Sequence, residues 1–186
     1  MKMNIYKYAI NELQQFSRSL TKTSLLINKP WTIVDEDSEV QKLIFKKDKS
    51  LIISKNGEVV IGKWDYLPEA KCILIDRGRD KILCKEGFVD EGLLILLKDG
   101  TDNQFFTLVN ENIVHSLDPF EYIQNLRTQH LHIKFAKLPN GKNLGVYLDY
   151  SNSLVNLGCK VEVDMVNASD GLYKPLNSNK EYEVEN

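Results

Sequence analysis

Cysteine is scarce in this chain: there are three in 186 residues, and no two of them form a Cys-x-x-Cys pair. An odd number without that spacing argues against a disulfide framework and against a zinc site built on cysteines. We therefore expect Cys72, Cys84 and Cys159 to be free and mostly buried thiols. Free thiols are typical of a cytoplasmic protein.

Two further absences bear on partners, namely long apolar runs and an excess of positive charge. The longest apolar run, residues 93–97, has the length of a strand, whereas a membrane-spanning helix needs about 18 apolar residues. Residues 1–15 contain no apolar core of the signal-peptide kind. With 24 basic and 26 acidic side chains the formal net charge is −2. Neither a membrane nor nucleic acid is therefore an expected partner.

The motifs that cradle phosphate or activate a nucleophile are also missing. Neither Gly-x-Gly-x-x-Gly nor Gly-x-x-x-x-Gly-Lys-Ser/Thr occurs, and none of the three histidines stands in a known nucleophile motif. We therefore predict no catalytic residue, no cofactor and no metal, and lean towards a protein that is not an enzyme.

The spacing His130-x-His132 is one exception that could carry chemistry. In a strand, this spacing places both imidazoles on one face, as two strand ligands of a metal ion require. The same alternation is equally typical of the polar face of a half-buried strand, with Leu131 and Ile133 on the other face. His130 and His132 are therefore a candidate polar site, open to both interpretations.

The segment Arg77-Gly78-Arg79 is the second exception. Two of the four arginines flank a glycine at a predicted hairpin turn, where a pair of guanidinium groups could bind an anion. Asp76 and Asp80 would neutralise part of that charge, and charged residues are common in turns. Arg77 and Arg79 are a candidate anion-binding site, with an ordinary turn as the alternative.

Short apolar-rich runs, separated by turns of two to four residues, fill the chain between Trp31 and Asn110. The turns include Asn56-Gly57 and Asp99-Gly100, which supply positive φ angles at low cost. This pattern predicts an antiparallel meander of about eight strands, curled or closed into a barrel. The predicted strands are residues 31–35, 42–47, 50–54, 58–64, 72–76, 81–86, 93–98 and 104–109.

The register of one hairpin can also be predicted. With a four-residue turn at residues 77–80, Ile73 faces Cys84 and Cys72 faces Lys85. The thiols of Cys72 and Cys84 then lie on opposite faces of the sheet. A disulfide between them would need a register shift that reverses every face.

Two helices are predicted on either side of the meander. The first is amphipathic, because apolar residues recur at three- and four-residue intervals, at Tyr6, Ala9, Ile10, Leu13, Phe16 and Leu20. The second begins at Asp118-Pro119, an acidic cap followed by proline, and ends near residue 128.

Strand patterns return in the last part of the chain, at residues 131–138, 144–150, 159–166 and 181–185, with turns at Asn140-Gly141 and Asp170-Gly171. We therefore predict two domains, a helix-plus-meander domain of residues 1–128 and a small β-rich unit of residues 129–186. The fold class is α+β and mostly β, with the first helix packed on the meander and the second connecting the units.

Trp31 opens the predicted meander and is followed by residues 43–48 (LIFKKD), 51–57 (LIISKNG), 62–64 (GKW) and 74–76 (LID). These phrases resemble the opening of small lipocalin-like (calycin-like) β units, and they also look like a group of uncharacterised bacterial proteins from gut-type Bacteroidetes. The resemblance covers residues 31–110. It implies a curled or closed antiparallel barrel with, at most, a pocket for a small apolar molecule, and it assigns no site residue.

Three functions are consistent with these features. A lack of catalytic motifs, together with amphipathic helices and a long sheet, favours a non-catalytic intracellular binding module whose partner is a protein. A lipocalin-like carrier of a small apolar ligand is the first alternative. An enzyme that uses His130 and His132 with a carboxylate is the second.

Overall fold

The computed structural model describes residues 2–21, 23–34, 40–148, 159–176 and 178–185. Contacts within the chain separate two compact units, Met1–Tyr122 and Ile123–Asn186. The protein is mostly β, with few helices.

Eight strands form a closed antiparallel barrel in the first unit: β1 (Trp31–Ile33), β2 (Gln41–Phe45), β3 (Ser50–Lys55), β4 (Glu58–Leu67), β5 (Cys72–Asp76), β6 (Lys81–Val89), β7 (Leu93–Lys98) and β8 (Phe105–Asn110). Each strand pairs with the next in sequence, and β8 pairs with β1. The predicted eight-stranded meander is confirmed, and it closes on itself. Asp35, the predicted end of the first strand, lies outside the described residues.

Residues with positive φ close the hairpins where the sequence predicts turns. Asn56 (φ 49°) and Gly57 (φ 85°) form the two-residue turn between β3 and β4. Gly78 (φ 82°) lies between β5 and β6, and Gly100 (φ 75°) lies between β7 and β8. These turns fix the order of the strands around the barrel.

The predicted register of β5 and β6 is confirmed. Ile73 faces Cys84, and Cys72 faces Lys85. Cys72 and Cys84 are buried and free, and Cys159 is partly buried and in no disulfide. The prediction of free and mostly buried thiols is therefore also confirmed.

Inward-facing side chains fill the barrel. Phe45 and Trp64 meet edge to face, with their ring centroids 5.4 Å apart. An eight-stranded barrel is just wide enough for side chains to fill it. The interior residues, each at most 6% exposed, are Trp31, Ile33, Leu43, Phe45, Leu51, Ile53, Trp64, Tyr66, Ile73, Ile75, Cys84, Leu94, Leu96, Phe106 and Leu108.

The N-terminal segment departs from the predicted helix. Helix α1 spans Lys2–Leu13, and a short 3-10 turn, Gln14–Phe16, follows it. Ser17 is extended because the end of β6 holds it there. The Ser17 hydroxyl accepts a hydrogen bond from the Val89 amide (3.0 Å), and the Arg18 amide donates to the Val89 carbonyl (2.7 Å). The prediction of one continuous helix to Leu20 is therefore wrong.

Helix α2 spans Pro119–Leu131 and begins as predicted. The Asp118 carboxylate accepts hydrogen bonds from the amides of Phe120 (2.8 Å) and Glu121 (3.4 Å), which is an N-cap. The helix continues to Leu131, whereas the sequence placed its end near residue 128.

The second unit contains a four-stranded sheet in the order β12-β11-β10-β9 and a separate β13-β14 hairpin. Its strands are β9 (Ile133–Lys137), β10 (Asn143–Tyr147), β11 (Val161–Val163), β12 (Val166–Asn167), β13 (Gly171–Tyr173) and β14 (Tyr182–Val184). The predicted strand 159–166 is divided by a turn in which Asp164 and Met165 take positive φ. At the predicted Asp170-Gly171 turn the chain bends at Asp170, and Gly171 already begins β13. Residues 149 and 150 of the predicted strand 144–150 lie outside the described residues.

Candidate functional site

Strand β4 is longer than the strand beside it. Its residues from Glu58 to Lys63 pair with β3, but its pairing with β5 begins only at Lys63, opposite Asp76. The chain then turns away at residues 77–80. Within the described ranges, no strand pairs with the β5 side of residues 58–62. We call residues 58–62 the open edge.

Gly62 allows β5 to leave β4 at this point. A Cβ atom at residue 62 would stand 2.2 Å from the Asp76 carbonyl oxygen and 3.3 Å from the Ile53 side chain. Any larger residue would therefore displace the end of β5. In the sequence Gly62-Lys63-Trp64, strand β4 passes from the open edge to the part that is paired with both β3 and β5.

Some backbone amides and carbonyls of the open edge point away from β3, towards the side without a paired strand in the described ranges. The Trp64 amide donates to the Lys49 carbonyl (2.9 Å), on the β3 side. Amide directions alternate along an antiparallel strand, so the amides and carbonyls of Val59 and Ile61 point towards the open side. An incoming strand can pair with these groups.

The side chains of the open edge are apolar and exposed. Val59 is 60% exposed, Val60 51% and Ile61 64%. Side chains alternate between the faces of a strand, so Val59 and Ile61 share the outer face, and Val60 lies on the face that continues to Trp64 inside the barrel. Sheet edges are usually protected by lysine, proline or a bulge, and residues 59–61 carry none of these.

Further isoleucines extend this apolar surface across the outer face of the barrel. Ile61 faces Ile52 on β3, and Ile52 faces Ile44 on β2. Ile44 and Ile52 are partly buried, and Ile61 at the end of the row is exposed. A strand added beside β4 would continue this row and cover Ile61.

The two ends of the open edge differ in charge. Lys63 stands at one end, and Arg79 is exposed in the turn beyond Asp76 at the same end. Glu58 stands at the other end, opposite Lys55. In the part of the chain that the structure describes, Lys63, Arg79 and Glu58 form no ion pair.

The two arginines of the sequence-predicted anion site have different surroundings. Arg77 Nε donates to Asp80 Oδ1 at 2.8 Å, a second guanidinium nitrogen donates to Asp80 Oδ2, and the guanidinium lies 5.7 Å from the Phe106 ring centroid. These hydrogen bonds hold the pKa of Asp80 below its usual value. The side chain of Arg77 is only 12% exposed, so Arg79 alone of the pair is open to a ligand.

The histidines of the other candidate site do not lie side by side on a strand. His130 is in the last turn of α2, and His132, with φ 53°, lies between α2 and β9. The predicted strand 131–138 is confirmed over Ile133–Lys137, but helix α2 continues to Leu131, so neither histidine lies in that strand. Over the described ranges, no group of three or more His, Cys, Asp or Glu side chains is placed to hold a metal ion.

A buried ion pair in the second unit was missed by the sequence reasoning. Arg127 and Glu162 are 0% and 1% exposed at their side chains and form two parallel hydrogen bonds of 2.7 and 2.8 Å. Arg127 also donates to the Tyr147 hydroxyl (3.0 Å) and lies over the Phe135 ring. The signal was an arginine four residues after Ile123, on the apolar face of the helix. Because the two side chains neutralise each other's charge, we assign the pair a structural role.

A polar cavity of about 490 Å³ lies in the first unit, between the segment after α1, the β4–β5 turn and β6. At its wall, Glu86 accepts hydrogen bonds from the Leu20 amide (3.0 Å) and the Tyr66 hydroxyl (2.7 Å). Burial, and then the Glu86 carboxylate, raise the pKa of Tyr66. Two basic residues of the cavity lining already form ion pairs within the protein, Arg18 with Glu91 and Lys85 with Asp99.

Comparison of the chain with protein-family models, with curated proteins and with solved structures found no match. No helix in the described ranges is both long and apolar enough to cross a bilayer.

Proposed function

We propose that this protein is a non-catalytic binding module that captures an extended segment of a partner protein by strand addition to the open edge. One observation carries the proposal: the outward-facing backbone groups of Val59 and Ile61 coincide with three consecutive apolar side chains, each at least 51% exposed. In strand addition, main-chain hydrogen bonds supply affinity and alternate side chains supply specificity.

The expected interaction is weak and reversible. Complete burial of a valine or isoleucine side chain contributes about 1.5–3 kcal/mol, and Val59, Val60 and Ile61 are already partly covered. Ordering of the incoming segment offsets part of that gain. We therefore expect a Kd of roughly micromolar or weaker for a short segment.

The packed interior supports a surface site in preference to an internal one. Phe45, Trp64 and Phe106 are each at most 2% exposed and occupy the space in which a carrier would hold an apolar ligand. The separation of His130 and His132 from a common strand face likewise gives no support to catalysis by that pair.

The setting of the module belongs to the same proposal. We infer a cytoplasmic bacterial protein with a lipocalin-like barrel, and the lack of a disulfide among its three cysteines supports a reducing compartment. We also infer that α1 is an amphipathic cover on the first unit. Tyr6 stacks on Phe120 with centroids 5.5 Å apart, and Leu13 is 1% exposed, which supports that role.

Backbone methylation of a probe peptide tests strand addition directly. The probe is a seven-residue peptide of alternating valine and threonine, with binding followed by fluorescence anisotropy. When two peptide valines lie opposite Val59 and Ile61, the amides of the peptide valines point towards β4 and those of the threonines point away from it. Methylation of the valine amides should weaken binding at least tenfold, whereas methylation of the threonine amides should change it less than about twofold.

A matched pair of protein variants locates the site. Ile61→Lys should remove binding of the probe, and Val166→Lys, at a residue of similar exposure (68% against 64%) in the second unit, should not. Equal effects of the two methylation patterns, or of the two lysine variants, would contradict the proposal.

A further inference from the structure

We infer that the open edge selects a segment that runs antiparallel to β4 and carries an acidic residue before its apolar part and a basic residue after it. This inference rests on the proposed function and specifies the chemistry of the partner.

The direction of the bound segment follows from strand β5, whose line the segment continues. Strand β5 runs antiparallel to β4 and ends at Asp76, opposite Lys63. An antiparallel segment continues the line of β5 along residues 62 to 58, and antiparallel pairs are slightly more stable per residue than parallel ones. The segment therefore enters beside Lys63 and leaves beside Glu58.

Charges at the entry end favour an acidic residue there. The Asp76 carboxylate is engaged by Lys81 (3.1 Å) and by the Gly78 amide (3.0 Å), and Asp80 is engaged by Arg77. Hydrogen bonding by the Gly78 amide and then Lys81 lowers the pKa of Asp76. Among the residues that the structure describes, Lys63 and Arg79 form no ion pair, and they act on Asp76 and Asp80 at longer range.

The exit end has the opposite but weaker preference. Glu58 is exposed and would attract a basic residue on the incoming segment. Lys55 faces Glu58 across the hairpin and balances part of its charge. The acidic residue at the entry end is therefore expected to contribute more to selection.

A second copy of this chain fits the open edge less well than a free segment. Pairing of Val59 with Ile61 across a two-fold axis would use the outward-facing backbone groups of both copies. That register places Gly57 of one copy opposite Lys63 of the other, a position that Asp76 already occupies. A free segment has no hairpin tip at that point and can diverge from the sheet before Asp76.

Four probe peptides with the same valine-threonine centre test the inference. Their ends are acidic-first with basic-last, basic-first with acidic-last, both acidic, and both basic. At low salt the acidic-first, basic-last peptide should bind about tenfold tighter than its reverse, the size expected of a few exposed ion pairs. The difference should shrink at high salt.

Charge-reversal variants assign the selection to particular residues. The double variant Lys63→Glu, Arg79→Glu should abolish or reverse the preference between the first two peptides. Lys47→Glu is the control, because Lys47 is an exposed lysine beyond the end of β2 and outside the open edge. This variant should keep the wild-type preference between the two peptides.

The outcomes separate this inference from the proposed function. Equal binding of all four peptides, lost in Ile61→Lys, would overturn the inference and leave strand addition intact, as would tighter binding of the reversed peptide. A dimer of the chain in sedimentation equilibrium that Ile61→Lys dissociates would identify a second copy as the occupant and also overturn it. Failure of every peptide to bind would overturn both.

Discussion

The Asp76 carbonyl oxygen lies 2.2 Å from the position that a Cβ atom would take on Gly62. This close approach decides where β5 leaves β4, and therefore where the open edge begins. We expect Gly62→Ala to destabilise the protein by about 1–3 kcal/mol, because the end of β5 must move to make room. Urea unfolding measures the loss, and wild-type stability of the variant would show that the backbones are not so close.

The buried pair of the second unit has a large expected effect. Glu162→Gln removes the negative charge that pairs with the buried Arg127 guanidinium, and loss of one partner from such a pair costs about 3–5 kcal/mol. Denaturation followed by NMR signals of residues 123–186 measures it. The matched control is Glu181→Gln, which breaks the exposed Lys174–Glu181 pair and should change stability by less than about 1 kcal/mol. Equal effects of the two variants would contradict the structural role of the buried pair.

The thiol of Cys84 is expected to be unreactive in the folded protein. Burial in the barrel raises its pKa to about 12, and the thiolate is the reactive form. At pH 8, iodoacetamide should label Cys84 at least a hundredfold more slowly in the folded chain than in urea, as mass spectrometry of peptides can show. Labelling of the native chain at the unfolded rate would indicate that the interior is open to solvent.

Glu111 is expected to make the stability of the barrel depend on pH. Burial raises the pKa of its carboxyl, but hydrogen bonds from Lys42 and Thr32 outweigh burial and lower the pKa overall. A carboxyl whose pKa is lower in the folded state stabilises the fold above its unfolded pKa, and this contribution is lost as pH falls through the folded value.

The variant Glu111→Gln tests this dependence. It should be less stable than wild type at pH 7, and the gap should narrow as pH falls below about 4. Unfolding free energies measured between pH 3 and pH 7 supply the comparison. A gap that does not change with pH would assign any loss to packing and contradict an electrostatic role.

The hairpins of the barrel could be predicted because their determinants are local. Asn56-Gly57 specifies a tight turn, and complementary pairs such as Ile73 with Cys84 fix the β5–β6 register. The open edge could not be predicted, because residues 58–64 look like any other strand. Only the length of the neighbouring strand and its departure at Asp76 leave one side unpaired.

The surroundings of the candidate site residues could not be predicted for a similar reason. The spacing of His130 and His132 fits a strand face, but His130 lies in α2, which continues to Leu131, and His132 takes a positive φ between α2 and β9. Arg77 is held by Asp80 and Phe106, a contact that spacing alone cannot reveal. Arg79 stays a candidate for binding negative charge, now as part of a different site.

Amide hydrogen exchange at Val59, Val60 and Ile61, measured by NMR, tests strand addition at the open edge most directly. In the free protein the Val59 and Ile61 amides should exchange rapidly and the Val60 amide slowly, because Val60 pairs with Ile53 on β3. Saturation with the acidic-first, basic-last peptide should slow exchange at Val59 and Ile61 at least tenfold and leave Val60 unchanged. Protection of Val59 and Ile61 in the free protein, or no protection when the peptide is bound, would contradict the proposed function.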